Sequence, residues 1–314
     1  MTQKNINSNW SHDPVLKKEI LELLFFDDVK TTFDGTFGLG GHAEAILETF
    51  PNVEKYIACD LDENHIIFAK NRLKKHEQKL VAVNSNFSAI KKIVQENDIP
   101  RPLVILLDLG ICSTHVDDPV KGFAFSQDAD LKMCFDQKSD KCVEILNEYS
   151  LEQLEKILRE YGEDPLAHKI AKGIVGRRKA KRIETTFHLR DVVETCVLPQ
   201  NRKRSLTRVF QAIRIAVNDE LEVLKKTLAD ALEIMQSGDR IGVISYHSLE
   251  DRIVKKAFRL HATPITKETK YSLNEEVEPA KFKLLTKKPI CPGEEELERN
   301  PRSRSAKLRI LEKI

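Results

Sequence analysis

The sequence predicts an α/β fold, a doubly wound and mostly parallel sheet interrupted by an α-helical insertion. Three observations carry this reading. Strand and helix patterns alternate from residue 31 to residue 108, as parallel strands joined by crossover helices require. The run Leu103-Val104-Ile105-Leu106-Leu107 is apolar on both faces of a strand, which fits a sheet covered by helices on both sides. From residue 140 to about residue 201, apolar residues recur at helical spacing and no strand pattern intervenes.

Taken in order, Asp13-Pro14 reads as a cap followed by proline at the first helical position. Val15, Leu16, Glu19, Ile20 and Leu23 then mark one helical face. Residues 31–34 end a short strand, followed by a glycine-rich turn and a helix over about 41–50. Residues 56–60 form the second strand, with a helix through Ile66, Ala69 and Leu73 behind it. The third and fourth strands are residues 80–83 and 103–108. In the insertion, Leu151, Leu154, Ile157, Leu158 and Tyr161 line a helix that Gly162 stops. Asp164-Pro165 opens the next, which carries Ile170 and Ile174. One long helix is expected through Ile213, Val217, Leu221, Leu224, Leu228 and Leu232. Residues 240–246 read as the fifth strand and residues 263–279 as a polar loop. Residues 282–290 and 306–310 read as late strands completing an antiparallel edge. The expected organisation is sheet domain over 1–117, helical insertion over 118–205 and sheet domain again over 206–314.

Of 314 residues, 41% are hydrophobic and 32% charged, an ordinary globular balance. The net charge is only +2, so any attraction to phosphate must come from local clusters. The six cysteines include no Cys-x-x-Cys pair, which argues against a zinc ribbon or redox dithiol. Scattered thiols of this kind fit a cytoplasmic protein. The first nine residues carry no apolar signal-peptide core. No run approaches the ~20 apolar residues of a membrane span.

The strongest local signal is Asp34-Gly35-Thr36-Phe37-Gly38-Leu39-Gly40-Gly41-His42, between a strand and a helix. Its glycines let the backbone approach a ligand with no Cβ in the way. The helix N-terminus behind them offers free N–H groups. Asp60 closes the next strand, where an acid reaches the ribose hydroxyls of a nucleoside cofactor. The alternative is a glycine-rich turn that binds nothing. NAD and S-adenosylmethionine sites share these parts. Asp34 favours the second, because its carboxylate can accept from an ammonium group but would repel a pyrophosphate. The late antiparallel strands also suit a class I methyltransferase better than a dehydrogenase. Phe87, after the third strand, either stacks on an adenine or is plain core. Asp108 ends the fourth strand at the switch point. It holds the cofactor, accepts from a substrate amine or caps a turn.

Further blocks extend from His12 nearly to the C-terminus: residues 34–42, residues 107–125 and Tyr161-Gly162-Glu163. They continue with residues 207–214, 217–221 and 245–252, and with Asn300-Pro301-Arg302-Ser303-Arg304-Ser305. With these the chain resembles the ribosomal RNA small subunit methyltransferase H family. The resemblance implies a class I S-adenosylmethionine-dependent methyltransferase fold, a Rossmann-like doubly wound sheet with an inserted α-helical domain. It implies S-adenosyl-L-methionine as cofactor and N4-methylation of a decoding-site cytosine in 16S rRNA. It also implies that Gly40, Gly41, His42, Asp60, Phe87 and Asp108 hold the cofactor, with a further contact at His115. The family carries glutamine there, and a neutral histidine still offers one donor and one acceptor. Other departures fall on the substrate side: Lys121, Ala124, Lys132, Cys134, Ser205 and Leu206.

Asp108 and His247 are the candidate catalytic residues. Asp108 and the carbonyls of Leu109 and Gly110 would orient an exocyclic amine and take up its developing charge. His247 or Ser245 would position the base or relay a proton, unless His247 only caps the helix that follows. Phe125, Arg208, Gln211 and Tyr246 are the candidate substrate contacts. Phe125 or Tyr246 stacks on a flipped base or belongs to the core. Three basic groups are candidate phosphate contacts: residues 177–182, Arg202-Lys203-Arg204, and Arg302 with Arg304, Lys307 and Arg309. His42, His115 and His247 lack ligand spacing, so no metal is expected. The expected partner is 16S rRNA in the small ribosomal subunit, with no membrane, and a homodimer is a candidate assembly. Two rival readings are carbon-5 chemistry with Cys112 as nucleophile, and a cofactor-binding assembly factor without turnover.

Overall fold

The computed structural model describes residues 13–136, 139–267 and 276–314. The chain divides into two compact units, Met1–Gly110 with Val223–Ile314, and Ile111–Glu222. The strands are β1 (Thr31–Asp34), β2 (Lys55–Asp60), β3 (Leu80–Asn84), β4 (Leu103–Asp108) and β5 (Arg240–Ser245). After them come β6 (Ile265–Lys267), β7 (Glu276–Glu278), β8 (Phe282–Leu284) and β9 (Lys307–Lys313). The helices begin with α1 (Lys17–Glu19), α2 (Gly41–Thr49), α3 (Glu63–Arg72), α4 (Ile90–Glu96) and α5 (Ser113–Asp117). Next are α6 (Lys141–Glu148), α7 (Leu151–Glu160), α8 (Ala167–Ala180), α9 (Thr186–Cys196) and α10 (Arg202–Asn218). The last are α11 (Glu220–Ile234), α12 (Ser248–His261) and α13 (Glu294–Arg299). No described helix is long and apolar enough to cross a membrane.

The first unit is built on a seven-stranded sheet of order β3-β2-β1-β4-β5-β9-β8. The five central strands run parallel, and β9 lies antiparallel to both β5 and β8. Strand alternation sends Tyr56, Ala58, Val104 and Leu106 into one core with Ile20, Leu24 and Ile46. It sends Phe33, Ile57, Ile105 and Leu107 into the other with Leu228 and Phe258. Both faces are therefore apolar, as the continuous run of β4 requires. The chain runs from β1 through β2 to β3 on one side and then crosses to β4 on the other, so the carboxyl ends of β1 and β4 flank the switch point where such sheets bind ligands.

The second unit is helical, and its core is drawn from α6 to α10 through Leu146, Leu158, Ile174, Leu189 and Ile213. Ser150 and Gln153 form a capping box that starts α7. Gly162 lies just beyond that helix, where a Cβ would come 2.7 Å from the Leu158 carbonyl oxygen and 2.9 Å from that of Arg208. The unit spans Ile111–Glu222. Val209, Phe210, Ile213 and Val217 on α10 belong to the helical core, so that helix stays with the insertion.

Four local expectations are corrected. Asp13-Pro14 does not open a helix: Leu16 takes φ 53, α1 starts at Lys17 and a π-helical turn follows over Ile20–Leu24. Asp13 pairs with Lys17 and Arg299 instead, and the Leu16 amide donates to Glu296 on α13 at 2.9 Å. The single long helix is two, because Asp219 takes a left-handed φ of 51 between α10 and α11. Asn218 secures the break by accepting from the Phe135 amide and donating to the Met133 carbonyl, and Arg214 grips Glu220 at 2.8 and 2.9 Å. The polar loop over 263–279 contains β6 and β7, which pair antiparallel; residues 268–275 lie outside the described residues. The late strand over 282–290 is regular only in β8, with Ile290 making an isolated bridge to Leu308.

Candidate functional site

Asp34, the last residue of β1, is 2% exposed. Its carboxylate accepts from the Tyr56 hydroxyl at 2.8 Å and from the Thr36 amide at 3.0 Å. Burial pushes this carboxyl up to about 6, against the lowering pull of the Tyr56 hydroxyl, of His42 and of the Thr36 amide. Each oxygen is thus bonded once within the protein and keeps further acceptor capacity, and the carboxylate is almost wholly enclosed. What Asp34 can offer a nearby cation is its charge. The burial of Tyr56 and the neighbouring carboxylate push the phenol well above its ordinary range, so it remains a donor.

The glycine-rich turn is packed to its limit. A Cβ on Gly35 would sit 2.5 Å from Leu107 Cδ2 and 2.8 Å from the Cβ of Phe87. Phe87 is therefore held against the loop backbone, at the start of a 3-10 turn whose N-cap Asn86 accepts from the Ser88 amide. Gly40, the N-cap of α2, takes φ 75, a conformation that favours glycine. Thr36 ties the turn to the neighbouring strand, its hydroxyl accepting from the Asp108 amide at 2.7 Å. Gly35→Ala is expected to cost about 2 kcal/mol of stability and to weaken cofactor binding. Urea unfolding and calorimetry check this, and unchanged values in both would show that the turn has slack.

Asp60 at the end of β2 accepts from the Gly38 amide at 2.8 Å and from the Asp62 amide at 2.7 Å. Buried His65 lies 3.5 Å from it. The acid is oriented from both sides, and each carboxylate oxygen keeps further acceptor capacity. Asp108 at the end of β4 accepts from the Tyr246 hydroxyl at 2.7 Å, and its other oxygen lies 3.4 Å from Nε2 of His42. That Nε2 is buried without a hydrogen-bond partner among the described residues. A native protein leaves few polar atoms in that state unless a ligand or water meets them.

A nucleoside cofactor with a ribose diol and a cationic side chain fits these residues. Asp60 suits the diol, the crowded turn gives backbone approach, the orphaned His42 nitrogen offers one polar contact, and Asp34 and Asp108 supply negative charge. A family model described as the MraW methylase family matches residues 9–314. The chain belongs to that family. Its fold is the class I methyltransferase fold with a helical insertion, and its cofactor is S-adenosylmethionine. The chain is 41% identical over 307 residues to the ribosomal RNA small subunit methyltransferase H of Caldicellulosiruptor saccharolyticus, covering 97% of this chain and 100% of the relative. The protein of that name from Clostridioides difficile is 40% identical, with 96% and 99% covered. That from Fusobacterium nucleatum is 41% identical, with 96% and 97% covered.

Of the residues expected at the site, Gly40, Gly41, His42, Asp60, Phe87, Asp108, Tyr246 and His247 all lie in the sheet unit of the methylase. His247 caps α12: its Nδ1 accepts from the Glu250 amide at 3.4 Å, while Glu250 reaches back to the amides of Tyr246 and His247. Its Nδ1 is committed to that box, while Nε2 stands 3.1 Å from Glu250 with no hydrogen bond among the described residues. The remaining residues belong to the helical unit. His115 is buried in α5, with ring centroids 5.6 Å from Phe123 and 5.4 Å from Phe135. Phe125 meets Phe210 edge to face. Gln211 donates to the Tyr161 carbonyl at 3.2 Å, and Arg208 is half-buried on the same helix. Both Phe125 and Gln211 thus have structural contacts of their own.

Among the basic groups, Arg309 is buried in a two-bond pair with Asp251 at 2.7 and 3.2 Å. Lys307 lies 3.8 Å from the same acid, whereas Arg302 and Arg304 of this group are exposed. Arg178 donates to the Leu146 carbonyl, whereas Lys179, Lys181, Lys203 and Arg204 are exposed. Sequence reasoning missed Thr36, Tyr56 and Glu250. Glu250 alone had a local signal, standing three residues after the helix-capping position.

Proposed function

We propose that the protein transfers the methyl group of S-adenosylmethionine to the N4 amine of a decoding-site cytosine in 16S rRNA. The names of the relatives support ribosomal RNA of the small subunit as the substrate class. The observation that carries the chemistry is the part-buried Asp108 carboxylate at the switch point, fixed by Tyr246. When bound, the cofactor supplies an electrophilic methyl on a sulfonium. A cytosine amine is a weak nucleophile because its lone pair is conjugated with the ring. The protein's task is orientation, which can supply much of the barrier reduction. Asp108 accepts an N4 hydrogen and aligns the lone pair, and the same carboxylate holds the proton that the amine loses. The carbonyls of Leu109 and Gly110 offer a second acceptor for the remaining hydrogen. His247 is left out of these steps because its ring caps α12.

The test is incubation of wild-type protein with small-subunit particles and isotopically labelled S-adenosylmethionine, with mass mapping of the 16S rRNA. The reading requires N4-methylcytidine at the decoding site. Label on carbon 5, on another base or nowhere overturns it. The exposed lysines of the insertion give a separate expectation. Replacing Lys179 and Lys181 with glutamine should weaken RNA binding and flatten the plot of log affinity against log salt by up to about 1.5, if each meets one phosphate. An unchanged slope removes them from the interface.

A further inference from the structure

We propose that Tyr246 is a positioning residue for the methyl transfer, its hydroxyl clamping the Asp108 carboxylate in one orientation at the end of β4. This rests on the reading of Asp108 as the acceptor of the substrate amine. The residue follows β5, and its phenol donates to Asp108 at 2.7 Å across 138 positions of sequence. The residue is itself fixed at two further points. Its backbone amide donates to Glu250 Oε2 at 2.8 Å, which ties it to the capping box of the fourteen-residue helix α12. Its ring lies against Gly110, where a Cβ would come within 3.2 Å of Cδ2. Gly110 takes φ 103, so the chain turns beneath the ring at a residue that accepts both the conformation and the close approach. Burial and the Asp108 carboxylate push the phenol well above its ordinary range, so it stays a donor at working pH.

The clamp has a definite consequence. Asp108 is the last residue of its strand, and the side chain would otherwise swing about two torsions. With one oxygen held by the phenol, the other is aimed toward His42 Nε2 at 3.4 Å. An acceptor held in place before the substrate arrives costs no reorganisation when charge develops. The phenol is committed to Asp108, so it serves the base through the carboxylate.

The test uses the full chain, small-subunit particles and the variants Tyr246→Phe, Asp108→Asn and both together. Tyr246→Phe removes one oxygen and keeps the ring against Gly110. Loss of a hydrogen bond to a charged group is expected to lower kcat about tenfold, with KM for the cofactor within about twofold. In the Asp108→Asn background the same change should cost less than about twofold, because the amide still accepts from the phenol but cannot take the proton that the clamped carboxylate is positioned to receive. Full kcat in Tyr246→Phe, or the same tenfold loss repeated undiminished in Asp108→Asn, overturns the clamp. Should Tyr246→Phe fail to fold, or the wild type move no methyl group, the ultraviolet difference spectrum of wild type minus Asp108→Asn decides. A tyrosine red shift in the wild type supports the clamp, and its absence overturns it. A wild type that transfers nothing counts against the proposed reaction, which that spectrum leaves aside.

Discussion

Asp108→Ala is expected to lower methyl transfer by at least about a hundredfold, with the variant still folded and still binding cofactor to a measurable extent. The carboxylate stands where three elements meet: the end of β4, the glycine-rich turn through Thr36, and the residue after β5 through Tyr246. Removing it takes away the acceptor for the substrate amine and leaves the Tyr246 hydroxyl without its partner. The backbone bond from the Asp108 amide to Thr36 survives the substitution, so the turn keeps its tie to β4. Stability should fall by about 1–2 kcal/mol, the cost of a buried donor left unmet. Asp108→Asn separates the contributions, because it keeps the shape and an acceptor oxygen but cannot take a proton. It should lie between wild type and Asp108→Ala. Single-turnover transfer of labelled methyl to small-subunit particles reads the chemistry, and urea unfolding reads the fold. Transfer by Asp108→Ala within about threefold of wild type would remove Asp108 from the reaction.

The parts of the fold legible in the sequence were those set by local periodicity. β4 came out at the expected bounds because its apolar run leaves a strand few other places to go. The switch-point loop was legible because glycines and an acid at fixed offsets have a backbone reason to be there. The break between α10 and α11 was not. Leucines continue at helical spacing through it, and no glycine or proline marks it. What makes the break is tertiary, the bonds from Asn218 to residues 133 and 135 and the grip of Arg214 on Glu220. The N-terminal helix start failed for the same reason, since the cap comes from Glu296, 280 positions away. At the site, single residues were readable and their pairings were not. Asp34 with Tyr56 and Asp108 with Tyr246 join different strands, and only the strand order brings them together. His247 showed both readings in the sequence, and its capping geometry became visible only with Glu250 in place.

Asp34 makes the second large expected effect, and its sign can be worked out. Its carboxyl stands at about 6 in the folded chain against 3.8 as the reference, so the fold prefers the protonated form. That preference contributes stability present in full below 3.8 and lost as pH rises through about 6. The difference corresponds to at most about 3 kcal/mol at pH 8. Asp34→Asn removes this loss. Its amide oxygen can accept from Thr36, while its NH2 must face Tyr56, whose hydroxyl can turn to accept but then leaves its own proton unmet. That mismatch offsets about 1 kcal/mol, which leaves the variant about 1–2 kcal/mol more stable than wild type at pH 8. Urea unfolding of both proteins from pH 4.5 to 8 should show the variant's advantage growing with pH and levelling off above about 7. A difference that stays flat with pH would mean that Asp34 is not the titrating group. Cofactor binding should move the other way. S-adenosylmethionine is cationic at its sulfonium, and a buried carboxylate in the wall of its site attracts it most when ionised. Wild-type affinity should therefore fall as pH drops through about 6, while Asp34→Asn binds more weakly at pH 8 and shows little of that dependence. The binding loop carries a charge that the empty fold would be steadier without, a cost expected where binding is served at the expense of stability.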